Sequence, residues 1–309
     1  MDKLKEFGQK VREIRKARGL SQSDVEALSF ISKKSISRIE NGKQGHPSID
    51  YLVELSKVYA YNLVDLFIAT IYTSLQVLAD IKKDLDVNAH LLSKRKLEEI
   101  DRRIGMIEND YELRNKGYEL ELLKLFIDSI RNKNDSSYDL GEKFRFITRN
   151  RINNKNILTN VYTPIELRLL SDICSESESY LGVSRVKILK SCTCQANTPT
   201  LLAVSSNSLA TAYYERNNYR NALEALEKAI RNKDNAVSLD ALVYLNYNKF
   251  WNLYKKNDPG YKLCLKNTLI LARNYSNIAV YQTIKDKLKK FAYKCNYIKE
   301  IEKKVLYFR

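Results

Sequence analysis

Apolar residues recur every three or four positions along most of this chain, a spacing that places them on one face of an α-helix. The first such segment has lysines and arginines between its apolar positions, which are Leu4, Phe7, Val11 and Ile14. Glycine and proline, which interrupt helices, number only 9 and 4 among 309 residues, against average usage of about 7% and 5%. The pattern therefore predicts an all-α protein.

Five short helices are predicted at the start of the chain, in residues 1–68. Ser21 and Ser32 each stand directly before a helical segment, where a serine hydroxyl can accept a hydrogen bond from a free N–H of the first turn. Gly19 and Gly42 close the first and third segments. Only three or four residues separate the second helix from the third, which is typical of a helix-turn-helix.

Three sequence runs in this region resemble the Cro/C1-type repressor domain. They are Arg15–Gln22 (RKARGLSQ), Ser32–Lys43 (SKKSISRIENGK) and Pro47–Leu52 (PSIDYL). The turn departs from the family at Phe30-Ile31, where glycine is often found. The resemblance implies a five-helix DNA-binding domain over residues 1–68 whose third helix enters the major groove.

The same resemblance implies which side chains face the bases. Lys33, Lys34 and Ser37 would face base edges in the major groove, and Arg38 would reach a base or a phosphate. Arginine and lysine read guanine best, and each good contact discriminates between bases by about 1–3 kcal/mol.

Other residues of the domain would hold the DNA backbone or the domain itself. Gln22, at the N-terminus of the second helix, would bind a phosphate where backbone N–H groups already favour an anion. Ser32 and Lys43 would also hold the backbone. Arg15 and Glu40 resemble a structural pair that joins the first helix to the third.

The middle of the chain is predicted to be helical as well. The apolar step continues through residues 63–85, which predicts one continuous helix and a linker helix at 69–90. This linker would pack against a partner subunit or roof the first helices of its own chain. Further helices are expected at 91–107 and 111–131, and a helix with a loop in the Asn- and Arg-rich segment 135–160.

An internal repeat is visible in the C-terminal part. Threonine or aspartate precedes proline at 163–164, 198–199 and 258–259, which predicts a capped helix start at each place. Asn207, Leu209 and Tyr213 recur 41 residues later as Asn248, Phe250 and Tyr254, and Tyr219, Ala222 and Leu223 recur 42 later as Tyr261, Cys264 and Leu265. The segment Ser208–Ile230 resembles a tetratricopeptide repeat, so residues 91–309 are expected to form a helical superhelix with a concave face.

The two parts together resemble the Rgg/PlcR-type (RNPP) quorum-sensing regulators. That resemblance implies a homodimer that binds a short signalling peptide in the concave face of its helical repeats. It also implies that an inner-face asparagine pairs with the peptide backbone. Asn207 matches that position, Asn248 is its repeat partner, and Tyr244 lies one turn before Asn248 and could add an apolar wall.

Charge adds a further expectation. The formal net charge is +16, and residues 161–309 contribute +11 of it, from 24 basic and 13 acidic side chains. A basic balance suits a polyanionic partner, yet most of the excess lies outside the proposed DNA-binding domain. It predicts either a lysine-rich solvated surface or a basic cavity for an acidic ligand or a free carboxylate.

Catalytic and metal-binding patterns are not found in the sequence. The chain has two histidines, and its five cysteines are scattered, with Cys192 and Cys194 lacking a second pair or a nearby histidine. No phosphate loop or glycine-rich dinucleotide turn is present. We therefore expect no enzyme activity, cofactor or metal. No signal segment or membrane-spanning run is seen, and a reduced, cytoplasmic protein without membrane contact is expected.

The sequence thus predicts a transcription regulator that reads a pseudo-palindromic double-stranded operator and responds to a peptide. One alternative is a ligand-independent phage- or plasmid-type repressor whose helical part only dimerises or recruits a protein. Another is an adaptor built on helical repeats with a vestigial DNA-binding domain.

Overall fold

The computed structural model describes residues 3–88, 94–132, 135–231, 239–274 and 278–290. Within these residues it contains sixteen α-helices, one 3₁₀ helix and a two-stranded hairpin, so the all-α prediction is confirmed. Contacts divide the chain into two compact units, Met1–Lys83 with Arg102–Gly117 and Asp84–Asp101 with Tyr118–Arg309. The domain limits expected at residues 68 and 90 stay predictions.

Five short helices form the N-terminal domain, as the sequence predicts: α1 (Lys3–Ala17), α2 (Gln22–Leu28), α3 (Lys33–Glu40), α4 (Ile49–Tyr59) and α5 (Leu63–Ile71). Their starts are set by capping side chains. The Ser21 hydroxyl accepts a hydrogen bond from the backbone N–H of Asp24, and the Ser32 hydroxyl accepts one from Ser35. Apolar residues from all five helices, among them Phe7, Val25, Ile36, Leu55 and Phe67, form one buried core.

The first and third helices approach closely at Gly8. A Cβ atom on Gly8 would lie 2.4 Å from the Ile39 carbonyl oxygen, which is closer than any side chain tolerates. Gly42 ends the α3 segment with φ of 64°, a left-handed conformation that favours glycine. These two glycines let α1 pack directly on the end of α3 and so fix the position of the recognition helix.

The helix predicted to run on through residues 63–85 is broken, so that expectation is wrong. α5 ends at Ile71, α6 (Thr73–Asn88) starts two residues later, and the axis turns by 103° between them. The ring of Tyr72 stacks on His46 and meets Phe67 edge-on. The Lys3 ammonium donates to the Ile71 carbonyl at 3.1 Å, which satisfies an acceptor freed by the break.

The chain continues with a run of further helices. They are α7 (Lys94–Ile107), the 3₁₀ helix Tyr111–Lys116, α8 (Gly117–Arg131), α9 (Leu140–Thr148), α10 (Pro164–Glu176), α11 (Arg185–Gln195), α12 (Pro199–Glu215), α13 (Tyr219–Arg231), α14 (Leu239–Lys255), α15 (Tyr261–Asn274) and α16 (Ile278–Lys290). A short hairpin, β1 (Ser179–Tyr180) and β2 (Val183–Ser184), precedes α11 and was not predicted.

From α10 onward the helices pack in successive pairs, α10 with α11, α12 with α13 and α14 with α15. The first helix of each pair also contacts the first helix of the next, from α10 to α12 to α14. This is the stacking of helix pairs that the internal repeat predicts. Ala222 and Cys264, the small residues at equivalent positions of two repeats, are both buried where helices cross.

The two clear repeats end their first helix in the same way but differ in the turn that follows. Asn217 and Asn257 both adopt a left-handed conformation, with φ of 58° and 55°, a common way to end a helix. The next helix starts two residues after Asn217 but four residues after Asn257. Pro259 lies in this longer turn and Asp258 accepts a hydrogen bond from the Gly260 N–H. The predicted helix start at 258–259 is therefore wrong, whereas Thr163 and Thr198 cap α10 and α12 as expected.

No single helix among the described residues is long and apolar enough to cross a membrane. α5 and α6 meet the length and composition only when they are taken together, despite the bend between them. Leu63, Phe67 and Ile71 of α5 belong to the buried core of the N-terminal domain.

Candidate functional site

The helix-turn-helix is formed by α2, the turn Ser29–Ser32 and α3. Val25 of α2 and Ile36 of α3 are fully buried, and Ile31 of the turn joins them in the core. Phe30 keeps a negative φ, so the turn accommodates a bulky residue where the resembled family often has glycine. Phe30 is 99% exposed. The sequence shows that Phe30 departs from the pattern of the resembled family, but it does not predict that this side chain is exposed to solvent.

A buried ion pair holds α1 against α3, as predicted. The Arg15 guanidinium donates to both carboxylate oxygens of Glu40, at 2.6 and 2.9 Å, and both residues are buried. The hydrogen bond to Glu40 raises the pKa of Arg15. Gln22 donates its side-chain amide to the same carboxylate at 2.9 Å. The predicted phosphate ligand is therefore oriented by the ion pair, and its contact with DNA stays a prediction.

Most of the predicted base-reading residues project from the exposed surface of α3. Lys33, Lys34 and Arg38 are exposed, and Lys34 and Arg38 are one turn apart on the same face. The Lys33 ammonium contacts the Ser23 hydroxyl at 3.2 Å, and its backbone N–H donates to Glu26 at 2.8 Å. A cationic helix face of this kind can enter the major groove.

The remaining predicted DNA-binding residues lie at the two ends of α3 and in its middle. Ser32 caps its start, and its hydroxyl also contacts the Ser35 hydroxyl at 3.0 Å. Ser37 accepts hydrogen bonds from the Asn41 amide through its carbonyl and its hydroxyl, which leaves the hydroxyl proton able to donate. Lys43 follows the helix and is exposed. The structure thus brings the seven residues to α3 and its immediate surroundings.

A second candidate site is a cavity of about 430 Å³ in the helical repeats. Helices α12, α14 and α16 line it, two of which are the first helices of successive pairs. Its walls include three aromatic rings, and the lining residues are Thr211, Tyr214, Glu215, Tyr247, Asn248, Trp251, Asn252 and Lys287. Its volume falls in the usual range for ligand sites, about 300–1,000 Å³.

Asparagines form a hydrogen-bonded series along one side of the cavity. The Asn248 amide donates to the Asn207 side-chain oxygen at 3.0 Å, so the two predicted peptide-binding residues contact each other. The Asn252 amide in turn donates to the Asn248 carbonyl at 2.8 Å. Asn248 and Asn252 line the cavity and Asn207 supports Asn248 from α12.

Tyr244, the third residue predicted to contact a peptide, lies beside the same cavity. It is half-buried, and burial raises the pKa of its hydroxyl. The Lys287 ammonium lies over its ring, 5.8 Å from the centroid, and Lys287 itself lines the cavity. The sequence pattern did not single out Trp251, Tyr247 and Asn252, which also line the cavity. All three lie within about one helical turn of Asn248, and that proximity could have identified them.

Acidic Glu215 on the cavity wall is already engaged in an ion-pair network. It pairs with Arg185, which is 4% exposed, and Arg185 also pairs with Glu178 at 3.1 Å. Glu178 pairs in addition with Arg216. The network joins the end of α12 to the start of α11 and the residue before the hairpin. Its charges are matched within the protein, so the cavity wall presents little net negative charge.

No group of three or more potential metal ligands is found among the described residues. Cys174, Cys192 and Cys264 are buried and unpaired, and burial raises the pKa of the Cys192 thiol to about 12. Cys295 lies outside the described residues.

Comparison with known proteins identifies the N-terminal part. Residues 11–66 match the helix-turn-helix family. A 61-residue stretch is 44% identical to the uncharacterized HTH-type transcriptional regulator RghRB of Bacillus subtilis (strain 168), and it covers 19% of this chain and 44% of that protein. The chain thus spans less than half the length of this relative.

The whole chain is similar in fold to several solved regulators. PlcR of Bacillus thuringiensis, solved with the peptide PapR7 and DNA, has a TM-score of 0.59 at 16% identity over 95% of this chain and 99% of its own. ComR of S. thermophilus, solved with DNA and its signalling peptide ComS, has a TM-score of 0.61 at 11% identity over 91% and 98%. A putative transcriptional regulator of Listeria monocytogenes EGD-e has a TM-score of 0.60 at 18% identity over 95% and 99%. Residues 11–66 therefore match the helix-turn-helix family, and the chain as a whole is similar in fold to PlcR and ComR.

Proposed function

We propose that this chain is a sequence-specific DNA-binding transcription regulator controlled by a short peptide bound in the cavity of its helical repeats. One observation carries the proposal: a helix-turn-helix with an exposed cationic α3 and an aromatic, amide-lined cavity occur in one fold. PlcR, which shares that fold, was solved with both a peptide and DNA.

The DNA-binding half of the proposal rests on α3. Lys33, Lys34, Ser37 and Arg38 read base edges, because they project from the helix that a helix-turn-helix places in the major groove. Contacts of Gln22, Ser32 and Lys43 with phosphates fix the register of the helix on the duplex. Two such domains in a homodimer would read a pseudo-palindromic operator in the cytoplasm.

The ligand-binding half rests on the cavity. Asn248 offers its side-chain oxygen to a peptide N–H while its amide stays bonded to Asn207. Tyr244 and the aromatic rings of the lining supply the apolar contact area. A peptide can control DNA binding only if it binds one arrangement of the dimer better than another.

An open cavity favours this function over a ligand-independent repressor. In the latter, we would expect side chains to fill the groove between α12 and α14. Instead the groove encloses about 430 Å³ beside Asn248. The ammonium group of Lys287, which lines this cavity, would favour a peptide that presents a free carboxylate or an acidic side chain.

Selection of random-sequence DNA by the purified protein tests the proposal. We expect an enriched inverted repeat with the wild-type chain and no enrichment with the Lys33→Ala, Lys34→Ala, Arg38→Ala triple variant. Lys57→Ala, which removes an exposed lysine of α4, is the matched control and should select the same sequence. If the triple variant selects the same repeat as the wild type, α3 does not read the DNA.

A heptapeptide screen tests the ligand half. The probe is the selected operator carrying a fluorescent label, and its polarisation is followed as random heptapeptide pools are added to the full-length protein. A pool that shifts operator affinity for the wild type and not for Asn248→Ala supports the proposed site. If every pool leaves operator affinity unchanged, the regulator does not respond to a peptide.

A further inference from the structure

One large apolar side chain of the helix-turn-helix takes no part in the core. Phe30 is 99% exposed, more than any other large apolar residue among those that the structure describes, and Leu28 at the end of α2 is 63% exposed. Because the φ of Phe30 is negative, a smaller residue such as alanine would fit the same turn. The ring therefore contributes little to the stability of the free domain, and it is available to a partner.

The ring of Phe30 belongs to the same surface as the start of the recognition helix. Ile31 is buried in the core, whereas Phe30 before it and Ser32 after it are exposed. Ser32 caps α3, and the exposed Lys33 and Lys34 follow it. A chain advances at most about 3.6 Å per residue, so the Cα atoms of Phe30 and Lys33 lie within about 11 Å of each other. The ring is thus within reach of base pairs next to those that the two lysines are proposed to read.

Charge indicates what kind of partner covers this surface. The core of a protein–protein interface is depleted of lysine, but two exposed lysines, Lys33 and Lys34, stand three and four residues after Phe30. Lysines at such a place favour a polyanion. The exposed ring is therefore continuous with a surface that suits DNA better than the apolar face of another protein.

The chemistry of the ring selects the group on the DNA that it contacts. A phenyl ring offers neither a charge nor a hydrogen bond to a phosphate. In the major groove the apolar group of a base is the C5-methyl of thymine, and phenylalanine is one of the side chains that contact it. An aromatic side chain beside the reading face of α3 thus matches a methyl group on a base edge.

We propose, on the basis of the function proposed above, that Phe30 is a specificity-determining residue that reads one thymine in each half of the operator through its C5-methyl group. The thymine lies next to the base pairs read by Lys33 and Lys34. Cytosine presents an amino group and no methyl at this edge, so it does not replace the contact. A glycine, which the resembled family often has at this position, has no side chain to make it.

The test uses the full-length protein and the operator that it selects from random-sequence DNA. Each thymine of one half-site is replaced in turn by deoxyuridine, which lacks only the C5-methyl group and keeps the same base pairing. Fluorescence polarisation gives the affinity of each duplex for the wild type and for Phe30→Ala. Phe146→Ala, which removes an exposed phenylalanine of α9 outside the helix-turn-helix, is the matched control.

We expect deoxyuridine at one thymine to weaken binding of the wild type and of Phe146→Ala about fourfold, the effect of one methyl group taken out of an apolar contact. Phe30→Ala should bind the thymine and deoxyuridine duplexes equally at that position and respond as the wild type does elsewhere. A wild type that is insensitive at every thymine overturns the inference. So does a deoxyuridine effect that persists at every position in Phe30→Ala, because the ring would then contact something other than a methyl group.

Two further substitutions keep the test decisive if Phe30→Ala binds no DNA. Phe30→Leu keeps an apolar side chain and should retain the preference for thymine over deoxyuridine. Phe30→Asn places a polar side chain there and should lose that preference. An equal preference in these two variants overturns the inference.

Failure of the proposed function is recognised separately. If the wild type selects no operator, the DNA-reading function fails and this inference fails with it. If it selects an operator in which no thymine is sensitive to deoxyuridine, only this inference fails.

Discussion

The exposed face of α3 and the cavity wall on α14 both present polar side chains, but they hold them differently. Lys34 and Arg38 are exposed and make no side-chain hydrogen bond with the described residues. The asparagines at 207, 248 and 252 are half-buried or buried and are bonded in series. Exposed groups that act separately should contribute additively, whereas groups in one network should be coupled. The arrangement on α3 suits DNA, whose phosphate backbone carries most of the charge. The arrangement in the cavity wall suits a small ligand that has to be distinguished from similar molecules.

The largest effect on stability is expected at the buried Arg15–Glu40 ion pair, which holds α1 against α3 and so supports the exposed face of α3. Glu40→Ala would leave the Arg15 guanidinium buried without its carboxylate and free the Gln22 amide. We expect the free energy of unfolding of the N-terminal domain to fall by about 3–5 kcal/mol, as measured by urea titration.

The control for this change is Lys10→Ala. It removes the exposed Glu6–Lys10 pair of α1 and should cost no more than about 0.5 kcal/mol. If the two variants are equally stable, Arg15 and Glu40 do not hold α1 to α3, and the DNA-binding face does not rest on a coupled pair.

A smaller effect is expected on the exposed face itself. Lys34→Ala should cost about 1–3 kcal/mol of operator binding and relax specificity at one base pair. Lys43→Ala should weaken binding to all sequences and lower the slope of log affinity against log salt by about 0.9. Fluorescence polarisation over a salt series measures both. We expect the double variant to lose the sum of the two losses, and a large departure from that sum would show that these lysines are coupled.

The smallest effect is a coupling energy in the cavity wall. Asn207→Ala and Asn248→Ala each remove one side of a 3.0 Å hydrogen bond. The double variant should therefore be about 1 kcal/mol more stable than the sum of the two single losses predicts. Urea unfolding of the wild type, the two single variants and the double variant gives this coupling energy as a double-mutant cycle. A coupling energy near zero would mean that the two asparagines contribute independently, as we expect for the lysines of α3.

Local signals in the sequence predicted much of the N-terminal domain. Helix caps at Ser21 and Ser32, the Arg15–Glu40 pair and the exposed cations of α3 all depend on residues close together or on a known motif. The break at Tyr72 was missed because the apolar spacing continues across it. Its cause is tertiary: the Tyr72 ring packs against His46, which is distant in sequence.

In the helical repeats the sequence predicted the stacking better than the site. A period of 41 residues placed Asn207 and Asn248 at equivalent positions, but each was expected to face a peptide rather than the other asparagine. Their contact arises because α12 and α14 pack side by side. A local sequence pattern does not predict this packing. The hairpin at 179–184 has too few residues to show a strand period.

The position of Trp251 has a practical consequence. It is the only tryptophan among the 309 residues, and it lies in the cavity wall beside Tyr247 and Phe250. Intrinsic emission excited at the red edge of protein absorption therefore comes from a single side chain at the site of interest. The unlabelled chain thus contains its own optical probe: a ligand without tryptophan that binds against this wall should change the colour and lifetime of that emission.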